Sequence, residues 1–218
     1  MQISKENYLK AIYSLALKHK TLIKTQELAN YLQISPASVT EMLKKLASEN
    51  YLSYTPYKGV KLLKNGLKLA KKIIRRHRIL ELYLHKKLNF NWDEVHIEAE
   101  NLEHATSDTL INKMEEVLDF PQFDPHGEPI PDINGIVPKQ KDIPLSDISE
   151  SKHVTISRVS DESPEFLNYL KTKSLTLNKK IIIKQKRQFD SAIIVELNKK
   201  PIEISQILAQ KIRVKINK

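Results

Sequence analysis

A nine-residue stretch, residues 96–104, concentrates side chains that can bind a divalent metal. It has helical periodicity and places four such side chains at positions i, i+4, i+7 and i+8: His96, Glu100, Glu103 and His104. At 3.6 residues per turn these four fall within an arc of about 100° on one helix face. Two imidazoles and two carboxylates suit a core poorly, but they supply the nitrogen and hard oxygen ligands that divalent metals bind.

A second pair of the same residue types precedes this stretch. His77 and Glu81 are spaced i, i+4 near the end of the preceding predicted helix, so they share one helix face. Either pair alone is equally compatible with a solvated helix face rich in Glu and His. Six such residues on two neighbouring helices favour a metal site instead.

The composition is that of a globular protein without thiol chemistry. The chain has 218 residues, of which 40% are hydrophobic and 28% are charged, and it is long enough for two or three small domains. No apolar run approaches the ~20 residues needed to span a bilayer, and no signal-peptide pattern opens the chain, so we expect a cytoplasmic protein with no membrane partner. The absence of cysteine excludes disulfides, thiolate metal sites and a cysteine nucleophile.

The net charge of +10 is unevenly distributed. Residues 1–88 contain 18 Lys and Arg against 5 Asp and Glu, whereas residues 89–218 contain 18 against 21. The basic part is therefore a candidate binder of a polyanion such as nucleic acid, and the rest is not. A lysine-rich solvated surface is the alternative.

Three predicted helices in the basic part have the order of a helix-turn-helix. Residues 4–18 and 25–32 have amphipathic spacing, and after a short turn Ser35 and Pro36 give a strong N-cap and first helical position for a third helix. The third helix has an inward apolar stripe made of Val39, Leu43 and Leu46. Its small hydroxyl residues at the start would let it enter a major groove deeply.

A wing follows the third helix. Residues 51–63 read as a β-hairpin whose basic, aromatic tip is Tyr57, Lys58 and Gly59. We therefore interpret residues 1–64 as a winged helix-turn-helix. The alternative is a helical subdomain that binds protein rather than DNA.

The middle of the chain is predicted to be helical. A long helix covers residues 66–88, Trp92 is expected to anchor a core, and a helix over residues 107–118 carries an apolar stripe. That stripe, which could form a helical dimer interface, consists of Leu110, Met114, Val117 and Leu118.

The second half of the chain loses the helical pattern. Residues 120–131 are rich in proline and predict an ordered loop, whose obvious ligand types are Asp124, His126 and Glu128. A polar, proline-punctuated linker comes next. Strands are then predicted at 154–159, 180–186, 192–197, 202–204 and 212–216, with one helix at 164–170. A five-stranded barrel of about 65 residues fits this pattern, so the fold class is mainly α with a small all-β domain.

Taken together, these motifs resemble a known family. The chain resembles the diphtheria-toxin-repressor family of metal-dependent transcriptional regulators in the order of its motifs. These are the winged helix-turn-helix, then Arg76-His77-Arg78 with Glu81, then His96, Glu100, Glu103 and His104, then Pro125-His126-Gly127 with Pro129-Ile130-Pro131. The branch resembled most is that of manganese-type repressors with a C-terminal SH3-like (FeoA-like) domain. The resemblance implies a DNA-binding domain, a helical metal-binding and dimerisation domain, a linker and an SH3-like barrel, at 1–64, 65–137, 138–152 and 153–218.

The resemblance also implies metal ligands. Its regulatory site would use His77, Glu100, Glu103 and His104 with Asn7 of the first helix, where other members have Met or Asp. A second site would use His77, Glu81 and His96 in one branch, or Glu81, Asp124, His126 and Asp161 in the branch with the longer C-terminal half. The resemblance leaves open how His77 divides between the sites and whether His96 ligates or only supports the ligands.

The ligand types narrow the choice of metal. Without Cys, and without Met at the first-helix position, the set disfavours Cu(I) and thiolate zinc and suits Mn²⁺ or Fe²⁺, although Zn²⁺ could bind in vitro because affinity rises towards it. On the DNA side, the resemblance assigns DNA-facing recognition-helix positions to Ser35, Ala37, Ser38 and Thr40. Lys44 and Lys58 are the expected phosphate contacts.

The implied function is a homodimeric repressor of metal-homeostasis genes, in which bound Mn²⁺ or Fe²⁺ favours the geometry that fits a palindromic operator. An enzyme is not expected, because no base or nucleophile stands apart from the ligands. The main alternative is a winged-helix DNA-binding regulator that metal does not switch.

Overall fold

The computed structural model describes residues 5–18, 22–160 and 163–217. Its helices are α1 (Lys5–Lys18), α2 (Thr25–Leu32), α3 (Pro36–Ser48), α4 (Lys64–Leu88), α5 (Val95–Leu102), α6 (Asp108–Val117), α7 (Pro164–Thr172) and α8 (Gln206–Lys211). Its strands are β1 (Leu52–Thr55), β2 (Gly59–Leu62), β3 (Ile143–Pro144), β4 (His153–Val159), β5 (Lys180–Lys186), β6 (Ile193–Leu197), β7 (Lys200–Ile204) and β8 (Ile212–Ile216).

The chain forms two compact units. The first takes residues up to Arg76 together with Pro131–Ile136, and the second takes His77–Ile130 and Val137 onward, so the boundary falls within α4. Among the helices that the structure describes, none is long and apolar enough to cross a membrane.

The first unit contains the predicted winged helix-turn-helix. Gln33, with φ of 55°, makes the left-handed turn between α2 and α3, and the Ser35 hydroxyl caps α3 by accepting the Ser38 backbone N–H at 3.2 Å. The side chains of the inward stripe of α3 join α1 and α2 in one core. Thr25 is the first residue of α2, and Lys24 occupies the N-cap position without a side-chain hydrogen bond.

The wing is an antiparallel hairpin of β1 and β2, with Leu52 paired to Leu62 and Thr55 to Gly59. Gly59 has φ of 128°, and a Cβ there would lie 2.6 Å from the Ile23 carbonyl oxygen. Glycine is therefore required where β2 passes against residue 23.

In the second unit, the end of α4 packs with α5 and α6 around a small core built from Ile79, Leu80, Ala99, Ile111 and Leu118. The helix carrying the His and Glu stretch is shorter than predicted. It ends at Leu102, and Glu103 is its C-cap. His104 thus lies in the turn after α5, because a helical pattern in the sequence does not mark where the last backbone hydrogen bond falls.

The C-terminal part of this unit is an antiparallel sheet with strand order β3-β8-β4-β5-β6-β7. It has six strands rather than the predicted five, and over the described residues the edge strands β3 and β7 are not paired, so the predicted barrel is not closed. Trp92 is buried in the core of this sheet domain, which confirms its predicted anchoring role.

The predicted domain boundaries stay predictions, but one segment within the predicted linker differs from expectation. Residues 143–148 form β3 and a short 3₁₀ turn, and Leu145 and Ile148 are buried in the sheet domain's core. A two-residue strand is too short to show the period-two alternation by which strands are predicted.

Candidate metal centre and DNA-binding surface

Three side chains meet where α4 passes α5. His77 Nε2 lies 2.9 Å from Glu81 Oε1 and 3.1 Å from His96 Nδ1, and His96 Nδ1 lies 3.1 Å from the same Glu81 oxygen. These three contacts cannot all be hydrogen bonds, because any arrangement of the imidazole protons leaves two donors or two lone pairs facing each other. The spacing equals the separation of about 3.0 Å between adjacent ligands on an octahedral cation with bonds of about 2.1 Å.

The other nitrogen of His77 belongs to a second group. His77 Nδ1 lies 2.7 Å from Glu103 Oε2, and His104 Nε2 lies 3.4 Å from Glu103 Oε1. One atom each from His77, Glu100 and Glu103 lies within 4.8 Å of the others. The two nitrogens of His77 therefore face different groups, Nε2 that of Glu81 and His96 and Nδ1 the carboxylate of Glu103.

A third group is fully buried and consists of Glu81, Asp124 and His126. His126 Nε2 lies 2.7 Å from the Trp92 carbonyl oxygen, which can only accept, so Nε2 carries the proton and donates it. In a neutral imidazole, Nδ1 is then a bare lone pair. It lies 3.9 Å from Glu81 Oε2, and neither atom has a hydrogen-bond partner among the residues that the structure describes.

A divalent cation fits this arrangement. Buried polar atoms are nearly always satisfied, and here two electron-rich atoms face each other instead. The pKa of Glu81 supports an anionic ligand. Burial acts to raise that pKa, but the charge and hydrogen bond of His77 and the hydrogen bond of His96 hold it well below the ordinary value.

The proline-rich loop orders its own ligands. Asp124 Oδ1 accepts the backbone N–H groups of His126 at 2.8 Å and Glu128 at 2.9 Å, and the Asp124 N–H donates to the Glu128 carbonyl at 3.0 Å. This is an aspartate-centred turn closed from both ends. It fixes Asp124 and His126 relative to each other without any regular element.

Three predicted ligands are not members of these groups, and of them His104 lies beside one, against Glu103. Asn7 lies half-buried on α1, in the other unit, and its role as a ligand stays a prediction. Asp161 lies outside the described residues. Glu128, a ligand type in the same loop, instead lies between Arg78 and Arg158.

The predicted DNA-contacting residues lie at the start of α3 and around the wing. Ser35, Ala37 and Ser38 are exposed, as are Lys44 and Lys58, whereas Thr40 is half-buried. The hydroxyls are already engaged, since the Ser35 and Ser38 oxygens are 2.9 Å apart and Thr40 donates to the Pro36 carbonyl at 2.8 Å. These bonds fix the rotamers presented at the surface.

A groove of about 430 Å³ lies between α3 and the wing. It includes the predicted Thr40 and Lys44 together with Tyr57 and Gly59 of the predicted wing tip. It adds residues that the sequence did not single out: Lys24, Thr25, Gln26, Tyr54 and Pro56. The signal for the first three was available. Lys24 directly precedes the helix predicted to begin at residue 25, and the first backbone amides of a helix suit a phosphate.

Comparison with known families agrees with this architecture. Residues 2–60 match the model of the iron dependent repressor N-terminal DNA binding domain. Residues 64–132 match that of the iron dependent repressor metal binding and dimerisation domain, and residues 143–216 match the FeoA domain.

Individual proteins are similar over long stretches. An uncharacterized HTH-type transcriptional regulator of Methanocaldococcus jannaschii is 39% identical over 52% of this chain and 91% of its own length. The HTH-type transcriptional regulator MntR of Listeria innocua is 30% identical over 64% of this chain and 95% of its own. A manganese-dependent transcriptional repressor solved with manganese is 32% identical, covering 98% of this chain and 100% of that one, with a TM-score of 0.91.

The fold and the matched domains define a winged-helix transcriptional regulator with a metal-binding and dimerisation domain. The chain belongs to the diphtheria-toxin-repressor family of metal-dependent regulators, in its manganese-type branch with a C-terminal FeoA domain.

Proposed function

We propose that this chain is a homodimeric repressor of metal-homeostasis genes whose affinity for a palindromic operator rises when it binds Mn²⁺, with Fe²⁺ as the second choice. The observation that carries the proposal is the convergence of three ligand groups on His77 and Glu81. The related repressor solved with manganese supports Mn²⁺ as the metal.

Each residue has a defined part in this proposal. His77, Glu100, Glu103 and His104 would hold the regulatory metal, and Glu81, Asp124 and His126 would hold a second one, with His96 beside them. A bound divalent cation supplies the positive charge that lets these electron-rich atoms share one place. The turn around Asp124 fixes that carboxylate, and Glu81 is ionised, so the oxygen lone pairs of both residues are available before a metal binds. Asn7 is retained as the first-helix position that the resemblance assigns.

DNA binding is assigned to the groove and the start of α3. Ser38 is proposed to contact base edges or phosphates, with Thr40 lining the groove beside it, and Lys44 and Lys58 are proposed to contact phosphates. On α6, Ile111 is buried whereas Leu110 and Val117 are exposed, which supports a partner subunit on that face.

The setting follows from the role. A regulator of promoters works where the chromosome lies, which we propose is the cytoplasm. Because its relatives are transcriptional regulators, we propose that the chain acts by binding and not by catalysis.

The test is DNA binding by fluorescence anisotropy on a palindromic operator selected from a random library. The chelated protein is titrated with Mn²⁺, with Fe²⁺ under anaerobic conditions, and with Zn²⁺. We expect Mn²⁺ to tighten binding by about 10-fold or more, or about 1.4 kcal/mol of coupling. Glu103→Gln should abolish the effect, and Glu98→Gln, an α5 variant outside the three groups, should not. Equal affinity with and without every metal would identify a winged-helix regulator that metal does not switch.

A further inference from the structure

The loop that carries Asp124 and His126 lies directly against β4. The Val159 N–H donates to the His126 carbonyl at 3.0 Å. Gly127, with φ of 84°, approaches so closely that a Cβ would lie 2.2 Å from the Ser157 carbonyl oxygen. The C-terminal sheet therefore supports the ligand loop through its backbone.

One side chain of the loop, Glu128, is held between two arginines from different elements. Its Oε1 lies 2.9 Å from a terminal nitrogen of Arg158 on β4, and its Oε2 lies 3.2 Å from one of Arg78 on α4. All three side chains are at least four-fifths buried. Arg78 also donates to the Pro129 carbonyl at 2.6 Å.

Arg158 is itself fixed at its other edge. Its Nε and second terminal nitrogen bind the two carboxylate oxygens of Asp142 at 3.1 and 2.8 Å. Arg213 on β8 binds the same carboxylate at 3.1 Å and the Asp142 carbonyl at 2.9 Å. A forked pair of this kind fixes orientation as well as distance.

Movement of Glu128 is transmitted to a ligand. The Glu128 backbone N–H donates to Asp124 Oδ1, and its carbonyl accepts from the Asp124 N–H. Arg78 Nε lies 3.5 Å from Asp124 Oδ2. Asp124 cannot keep its position if the Glu128 backbone shifts.

We propose that Arg158 is a positioning residue for the metal ligands. Through Glu128 it fixes the loop bearing Asp124 and His126, so that the C-terminal sheet sets the affinity of the Glu81–Asp124–His126 group for a divalent cation. This inference rests on the metal site of the proposed function. Partners that orient ligands in this way are worth about 10- to 100-fold in metal affinity.

The experiment compares Mn²⁺ binding by calorimetry in the full chain and in Arg158→Lys, which keeps the charge but not the planar fork. The matched control is Arg187→Lys, because Arg187 makes a forked ion pair with Glu203 on β7. We expect one Mn²⁺ binding event to weaken by about 10-fold or more in Arg158→Lys and to stay unchanged in Arg187→Lys. Glu128→Gln, which changes the same contact from the loop side, should reproduce the loss.

A thermodynamic cycle separates positioning from general destabilisation. In a His126→Ala background, Arg158→Lys should have no further effect on Mn²⁺ affinity, because the group it positions is already lost. An equal loss in both backgrounds overturns the inference, as does wild-type affinity in Arg158→Lys and Glu128→Gln. A wild-type chain that binds no Mn²⁺ overturns the proposed function as well.

Discussion

The two outermost ligand groups differ in their access to water. The side chains of Glu81, Asp124 and His126 are fully buried, whereas 41% of the Glu100 side chain and 31% of the His104 side chain are exposed. We call Glu81, Asp124 and His126 the buried group, and His77, Glu100, Glu103 and His104 the open group. The buried group is fixed by a closed turn and by the C-terminal sheet. The open group lies at the end of α5, where water or a further ligand can enter.

The difference predicts different roles for the two groups. An unsatisfied buried polar atom costs about 1–3 kcal/mol, so a metal that satisfies Glu81 Oε2 and His126 Nδ1 should stabilise the fold. The open group has little such cost when empty, and its metal can exchange with the medium. We therefore expect metal binding at the buried group to raise the free energy of unfolding. Metal binding at the open group should instead change the affinity for DNA.

The largest effect is expected from Glu81→Ala, because Glu81 belongs to two of the three groups. Mn²⁺ affinity should fall by at least about 100-fold, the upper range for residues that only support ligands. Calorimetry on the chelated protein measures it, with Glu98→Ala as the control. Retention of two tight Mn²⁺ sites in Glu81→Ala would contradict the assignment of Glu81 as a metal ligand.

A pair of variants tests the comparison itself. At a Mn²⁺ concentration of 100 Kd, metal stabilises a one-site protein by about 2.7 kcal/mol. His126→Ala should lose most of this stabilisation in urea unfolding, whereas Glu100→Ala should keep it and lose the metal-dependent gain in operator affinity. The reverse pattern would exchange the roles of the two groups.

Sequence spacing indicated which side chains lie close together better for the open group than for the buried one, and the reason is locality. His77 with Glu81 and His96 with Glu100 are spaced by one helical turn, so periodicity alone brings each pair together. Ser35 and Ser107 marked helix starts, and both hydroxyls do cap their helices.

Two kinds of feature were not predictable in this way: very short elements and contacts between distant residues. The strand β3 and the helix α8 contain too few residues to show a period, and periodicity does not fix the end of α5 at Leu102. Arg158, Asp142 and Glu128 are 14 to 30 residues apart in sequence, and only the sheet and the loop bring them together. Asp124 and His126 stood out as ligand types in the proline-rich loop, but only the family resemblance grouped them with Glu81.

A pH series tests the support beneath the buried group. Burial acts to raise the pKa of Asp142, but hydrogen bonds and charges from Arg158 and Arg213 lower it below the usual value. A depressed carboxyl pKa stabilises the fold above the unfolded-state pKa, about 3.9, and the contribution is lost as pH falls through the folded value. Asp142→Asn should therefore cost about 2 kcal/mol at pH 7 and pH 5, less than a fully buried pair because both arginines are partly exposed.

Urea unfolding of the chelated protein at pH 7, 5 and 3 measures this cost, which should shrink at pH 3. Asp147→Asn, in the neighbouring 3₁₀ turn and exposed, is the control. A cost that is constant down to pH 3 would show that the carboxylate charge does not stabilise this network.

The smallest effect is expected from a substitution at position 7, which the family resemblance assigns to the regulatory metal of the open group. An amide oxygen at position 7 supplies no charge, whereas the family resemblance places Met or Asp there, so Asn7→Asp should strengthen only the regulatory metal. We expect the Mn²⁺ midpoint of operator binding to move to about 10-fold lower concentration, or about 1.4 kcal/mol, while metal-dependent stabilisation stays unchanged. Asn30→Asp adds the same charge at an exposed position of α2 and should leave the midpoint in place. If both variants shift it equally, the effect is general electrostatics, and position 7 is not a ligand.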